Sequence, residues 1–245
     1  MNGLSESIDK KEAEDWLSSN FPRLFDLYQR SKKDEPKNYF NFKELFPIAL
    51  LGYEAYAQTE KRLARLDAES WEKLREKALD YVTVDDPLRR YQQLFNTLDE
   101  ARGYVFLADQ GYVEIEFIER KKGKQGKGQS PDLRATRNGL TAILEVKTIN
   151  ESDATLDPGA LWRREAVKVR EDLSVAFKDK LVSTIEQARN QLNDYPEPSD
   201  RKIVLLVVCF DIGQKTSAQS YVELESFIAS QSMQDGIEVY HQATF

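Results

Sequence analysis

The sequence predicts an α/β protein: an N-terminal helical region over residues 1–86, then a mixed central sheet flanked by helices over residues 87–245. Three observations predict it. Apolar residues recur at near-helical spacing through the first hundred residues, as in the stripe Leu63, Leu66, Trp71, Leu74, Ala78 and Tyr81. Two later segments, Leu140 to Val146 and Lys202 to Phe210, are almost continuously apolar, as strands buried inside a sheet are. Between two strand-like runs stands Asn138-Gly139, the dipeptide most suited to a two-residue hairpin turn.

Taken in order, a first helix is expected from about Ile8 to Ser19, and a second from Pro22, a favoured first helical position, to about Ser31. Two more should cover Phe42 to Tyr56 and Glu60 to Tyr81. The aromatic residues of this region, among them Trp16, Phe21, Phe25, Tyr28, Tyr39 and Phe40, read first as core and second as a face for a protein partner. Asp85-Asp86-Pro87 should cap a helix running to about Gln110. Val113 to Arg120 alternates apolar and polar residues, as a half-exposed strand does. After the hairpin and the buried strand, residues 150–172 form a long insertion containing Trp162, Arg163, Arg164, Lys168 and Arg170. A helix should follow from Leu173 to Tyr195, stopped by Pro196 and Pro198. The strand Lys202 to Phe210, a helix near Tyr221 to Ser230 and a short strand from Ile237 to His241 complete the chain.

At 245 residues, with 40% hydrophobic and 31% charged residues, the composition is that of a globular protein with a sizeable core. No apolar run has the length of a membrane span, and the first residues lack the apolar region of a secretory leader, so cytoplasmic residence is expected. One cysteine, Cys209, excludes an internal disulfide and a cysteine-based zinc site. The net charge of −7 argues against a protein that coats nucleic acid, but local fields outweigh the total in steering a ligand. The basic segment Arg120, Lys121, Lys122, Lys124 and Lys127 lies just before Asp132 and is the candidate nucleic-acid contact. His241, the sole histidine, reads as structural.

Chemistry concentrates in PDLRATRNGLTAILEVKTI, residues 131–149. In a strand Glu145 and Lys147 share a side, while Leu144 and Val146 point the other way. Charges inside such an apolar run cost several kcal/mol, roughly, unless paired or bound. Asp132 comes from the partner strand of the hairpin. The plain reading is a same-face ion pair with a turn aspartate beside it.

Asp132, twelve intervening residues and then Glu145-Val146-Lys147 resembles the signature of the PD-(D/E)xK nuclease superfamily, the restriction-endonuclease-like fold. The resemblance covers roughly residues 87–211 and implies an αβββαβ core. A glutamate on the first helix, here Glu100, is similar in spacing to the archaeal Holliday-junction resolvase branch. It implies a metal-dependent hydrolase cleaving nucleic-acid phosphodiester bonds, with DNA as the first substrate and RNA left open. Asp132, Glu145, the Val146 carbonyl and Glu100 would hold Mg²⁺ or Mn²⁺, and Lys147 would act on the attacking water or the phosphate. The second helix of the family often offers a polar residue; here Gln191 is the choice and Gln187 the alternative. The rival from another class is a catalytically inactive nuclease-like scaffold that binds nucleic acid or a protein.

Overall fold

The structure is a computed structural model that describes residues 10–31, 37–41, 53–86, 90–119, 130–150, 173–209, 218–231 and 235–244. The chain divides into two compact units, Met1–Val105 and Phe106–Phe245.

In the first unit, helices α1 (Lys10–Asn20), α2 (Pro22–Arg30), α3 (Tyr53–Leu63) and α4 (Ala68–Leu79) precede α5 (Gln92–Asp109), which continues across the boundary. Pro22 stands at the start of α2, and Phe21 ahead of it has no side chain able to cap. Glu60 of α3 takes that role, its two oxygens accepting from the Arg23 and Leu24 N–H groups at 2.8 and 3.0 Å. A tertiary contact thus satisfies donors that the local sequence leaves open. The helix expected over Glu60 to Tyr81 is two helices: the chain turns after Leu63, and the Asp67 carboxylate accepts from Ser70 N–H at 2.7 Å to start α4. Its apolar stripe is nonetheless buried from Leu63 to Ala78. The helix expected from Pro87 begins only at Gln92. Asp86 and Arg90 exchange two main-chain hydrogen bonds first, closing a turn in which Arg90 takes φ 50°. The aromatic residues pack on one another, with Tyr39 edge-on to Phe40, Tyr91 and Phe95. Residues 42–52, part of another expected helix, lie outside the described residues.

Gly111 at φ 78° ends α5, and Tyr112 N–H reaches back to the Leu107 carbonyl. The second unit is α/β. Its mixed five-stranded sheet runs β1 (Val113–Phe117), β2 (Leu133–Arg137), β3 (Leu140–Asn150), β4 (Arg201–Cys209), β5 (Ile237–Thr244) in spatial order. The first three strands pair antiparallel; β3 with β4, and β4 with β5, pair parallel. Helices α6 (Val175–Asn193) and α7 (Ala218–Gln231) carry the chain between the parallel strands. Asn138 and Gly139, at φ 53° and 78°, make the two-residue turn that sets Arg137 opposite Leu140. Strand β1 ends three residues earlier than expected. Glu114 lies in the left-handed region at φ 51°, the register shifts between Val113 and Glu116, and this bulge turns Val113 outward, 60% exposed.

One face of the sheet, with Ile143, Ile149, Val204, Leu206, Val208 and Val239, is sealed by Phe177, Leu181, Ile185, Ala188 and Leu192 of α6 and by Leu224 and Ile228 of α7. His241 in β5 lies 6.1 Å from the Tyr221 ring, and among the described residues its buried Nε2 has no hydrogen-bond partner. Burial holds its pKa below the usual 6.5, partly opposed by Glu225. A base whose folded pKa is depressed takes up its proton more readily in the unfolded chain. Its contribution to stability is therefore complete above 6.5 and lost as pH falls through the lower folded value. His241→Phe is expected to reduce the fall in urea midpoint between about pH 7.5 and about pH 5. Curves of equal slope for the two proteins would show that His241 does not contribute.

Candidate active site

Counting back along the hairpin from Arg137 opposite Leu140, Leu133 pairs with Leu144, so Asp132 arrives next to Glu145. The ladder is closed there by a side chain. Asp132 N–H donates to the Leu144 carbonyl at 3.0 Å, and its Oδ2 accepts from Val146 N–H at 3.0 Å. On its other side the Asp132 carbonyl accepts from Ile118 N–H at 2.9 Å, which ties in the chain just beyond β1. Asp132 is 5% exposed and Glu145 3%.

Glu145 and Lys147 project from β3 on the face that carries Ile143 and Ile149, the face covered by α6. Two charges thus interrupt an otherwise apolar contact, and α6 meets them with Gln191, 7% exposed. Lys147 Nζ donates to Glu145 Oε1 at 2.5 Å and to Gln191 Oε1 at 3.1 Å. Gln191 Nε2 donates to Glu145 Oε2 at 2.6 Å and to the Ser130 carbonyl at 2.7 Å. Three segments, 130–132, β3 and α6, therefore meet in one hydrogen-bonded knot.

The structure brings together Asp132, Glu145, Val146, Lys147 and Gln191 of the residues singled out from the sequence. Gln187 is exposed on α6. Glu100 is buried on α5 in the first unit, where Lys77 of α4 donates to both its oxygens at 2.6 and 2.5 Å. Arg120, Lys121, Lys122, Lys124 and Lys127, and the insertion over 151–172, lie outside the described residues. One participant carries no sequence signal: Ser130 contributes only its carbonyl, which any residue has.

Among the described residues no group of three or more His, Cys, Asp or Glu side chains converges as a metal cage. The donor set is instead two buried carboxylates beside an ammonium. That chemistry fits a hard divalent cation, which accepts few protein oxygens and completes its shell with water and phosphate oxygens. Asp132 and Glu145 are the residues that would hold it.

No known protein family matches the chain, and no curated protein matches it. A search of solved structures finds a likeness to SfsA of Pyrococcus furiosus in complex with Ca²⁺, at 14% identity and a TM-score of 0.22, covering 62% of this chain and 55% of that one. The likeness spans just over half the length of that protein.

The knot has a thermodynamic signature independent of any activity. Lys147→Met leaves the Glu145 carboxylate buried without that ammonium and should cost about 3 kcal/mol in unfolding free energy. The double variant Lys147→Met/Glu145→Gln should recover more than half of that loss, giving a coupling of about 1 kcal/mol or more in urea titrations. Strict additivity would mean that the pair does not interact.

Proposed function

We propose that the chain is a metal-dependent nuclease of the PD-(D/E)xK type, hydrolysing phosphodiester bonds in nucleic acid with DNA as first substrate. The observation that carries this reading is the convergence of Asp132, Glu145 and Lys147, with Gln191, on an otherwise apolar sheet face. Burying these groups costs free energy that packing residues of the same volume would save, which is what a site kept for chemistry looks like. The order α5, β1, β2, β3, α6, β4, with Asp132 entering β2 and Glu145 and Lys147 on β3, supports the same reading.

A divalent cation such as Mg²⁺ or Mn²⁺, when bound by Asp132 and Glu145, supplies Lewis-acid polarisation of the phosphate and a bound water of lowered pKa. The Asp132 main chain and carboxylate, clamped between Leu144 and Val146, hold one oxygen donor at a fixed place on β3. Glu145 presents the second from the same strand. Lys147 carries a compact positive charge that stabilises negative charge gathering on the phosphate oxygens, or orients the attacking water. Glu100 and the Val146 carbonyl remain proposed further ligands on the resemblance alone. By the same resemblance the products carry a 5′-phosphate and a 3′-hydroxyl. Residues 1–86 are proposed to select a partner or substrate, and residues 87–245 to cleave.

The rival reading, an inactive scaffold, draws on one observation: both Glu145 oxygens already accept hydrogen bonds from Lys147 and Gln191. One assay separates the two. Purified protein is incubated with supercoiled plasmid, linear DNA, single-stranded DNA and RNA, with Mg²⁺, Mn²⁺ or EDTA. Cleavage is expected only with metal, and Asp132→Ala, Glu145→Ala and Lys147→Ala should each abolish it while the circular dichroism spectrum is retained. Full activity in Glu145→Ala would falsify the assignment.

A substrate carrying one charge per phosphate has to approach a chain of net charge −7, so a local positive field is needed. The segment Arg120 to Lys127 holds five cations and no acidic residue. Replacing Lys121, Lys122, Lys124 and Lys127 with Ala should weaken binding to a similar degree across sequences. The slope of log affinity against log salt should flatten by up to about 0.9 for each duplex phosphate that is no longer neutralised. Unchanged affinity and slope would place the substrate path elsewhere.

A further inference from the structure

We propose that Gln191 is a positioning residue, an amide ruler fixing the Asp132 corner relative to the Glu145–Lys147 pair; its catalytic consequence rests on the nuclease reading above. Its three hydrogen-bond partners lie in different parts of the site. Nε2 spends its two hydrogens on the Ser130 carbonyl, two residues before Asp132, and on Glu145 Oε2, while Oε1 accepts from Lys147. A primary amide is the side-chain group that offers two donors and an acceptor in one plane; Glu cannot donate when ionised, Met does neither, and Asn is one methylene short. The partners dictate which way the amide faces, since a carbonyl and a carboxylate both demand N–H and an ammonium demands oxygen.

The far end of the ruler is equally constrained. Gln191 stands between Ala188 and Leu192, both fully buried against the sheet, in a helix whose Phe177, Leu181 and Ile185 are packed in the same core. That apolar packing holds α6 in place without the amide, so the amide is not required to dock the helix. What it adds is a bond to each flank of the corner where Asp132 meets β3. The two hydrogen bonds that main-chain N–H groups donate at that corner, Asp132 N–H to the Leu144 carbonyl and Val146 N–H to the Asp132 side-chain Oδ2, bracket Glu145 along the strand and report on its integrity. In a buried setting such a network stiffens the groups it satisfies, and loss of one member loosens the rest.

The test compares the full-length wild type with Gln191→Met, which keeps the volume and removes all three bonds, and reads amide hydrogen exchange by NMR beside cleavage kinetics. The Asp132 and Val146 amides are expected to exchange about tenfold faster in Gln191→Met, the effect of one missing hydrogen bond on a local opening, with the amides of β4 unchanged. On the nuclease reading kcat should fall at least about tenfold with KM nearly constant, because the groups that touch substrate are retained. Wild-type exchange at Asp132 and Val146 would overturn the proposal. So would an equal acceleration throughout β4, which would make Gln191 a general structural support. If exchange responds and the wild type cleaves no substrate, the ruler stands and the nuclease reading fails. If the wild type cleaves and Gln191→Met matches it in both readouts, the nuclease reading stands and the ruler fails.

Discussion

Whether Asp132 meets Glu145 is decided six residues away, in the turn at Asn138-Gly139. Both residues take positive φ, so the turn admits two residues and no more, and Arg137 must face Leu140. From there the ladder counts back in single steps to Leu133 opposite Leu144. A slip of one residue would exchange the faces of β2 and leave Asp132 beside another position of β3. The alternation of faces along β3 then fixes the rest. Glu145 and Lys147 must look at α6, because Ile143 and Ile149 on the same face form part of the core that α6 seals.

That placement creates an energetic problem which the structure answers locally. An ion pair seated among Ile143, Ile149, Val204 and Leu206 loses most of its hydration, and an attraction of two charges does not by itself offset the loss. Lys147 is the more exposed partner, 22% against 4% for the Glu145 side chain, and the carboxylate is satisfied from within the protein. The amide of Gln191 supplies the second carboxylate bond. Asp132 is handled differently, by a main-chain donor, Val146 N–H, that strand pairing would otherwise direct to another strand. One carboxylate depends on side chains from β3 and α6, and the other on the backbone of its neighbour.

These differences explain what could be read from the sequence. The buried strands β3 and β4 were legible because a parallel strand covered on both faces leaves a continuous apolar run. Asp132, Glu145 and Lys147 were legible as charges set against such a run. Gln191 was separable from Gln187 by helical phase: at about 100° per residue it lies about 80° from the centre of the face formed by Phe177, Leu181, Ile185, Ala188 and Leu192, and Gln187 lies about 120° away. The misses occur where long-range pairing overrides local pattern. Val113 continues the alternation of β1 in sequence, yet the bulge at Glu114 turns it to solvent. The start of α5 is delayed by the Asp86–Arg90 bridge, and α2 is capped from α3 by Glu60. Ser130 enters through its carbonyl, a main-chain group that carries no residue identity.

Lys77 and Glu100 show why a buried ion pair does not by itself identify a site. Like Lys147 and Glu145, they set a nearly enclosed carboxylate against a lysine that is about a fifth exposed. Viewed as pairs, the two arrangements are alike. What distinguishes the Glu145 pair is its link, through the Gln191 amide, to the segment that carries Asp132. Lys77 and Glu100 join two helices of one unit, a contact of the kind that aligns helices. Glu145 receives bonds from β3 and α6, and the same α6 amide reaches Ser130, so that Asp132, fixed by Val146, is drawn into the same knot. A hydrogen-bonded knot that joins separate segments around two buried carboxylates is costly to build and unnecessary for packing. The chemical reading therefore rests on β3 and α6, and not on the occurrence of buried charge alone.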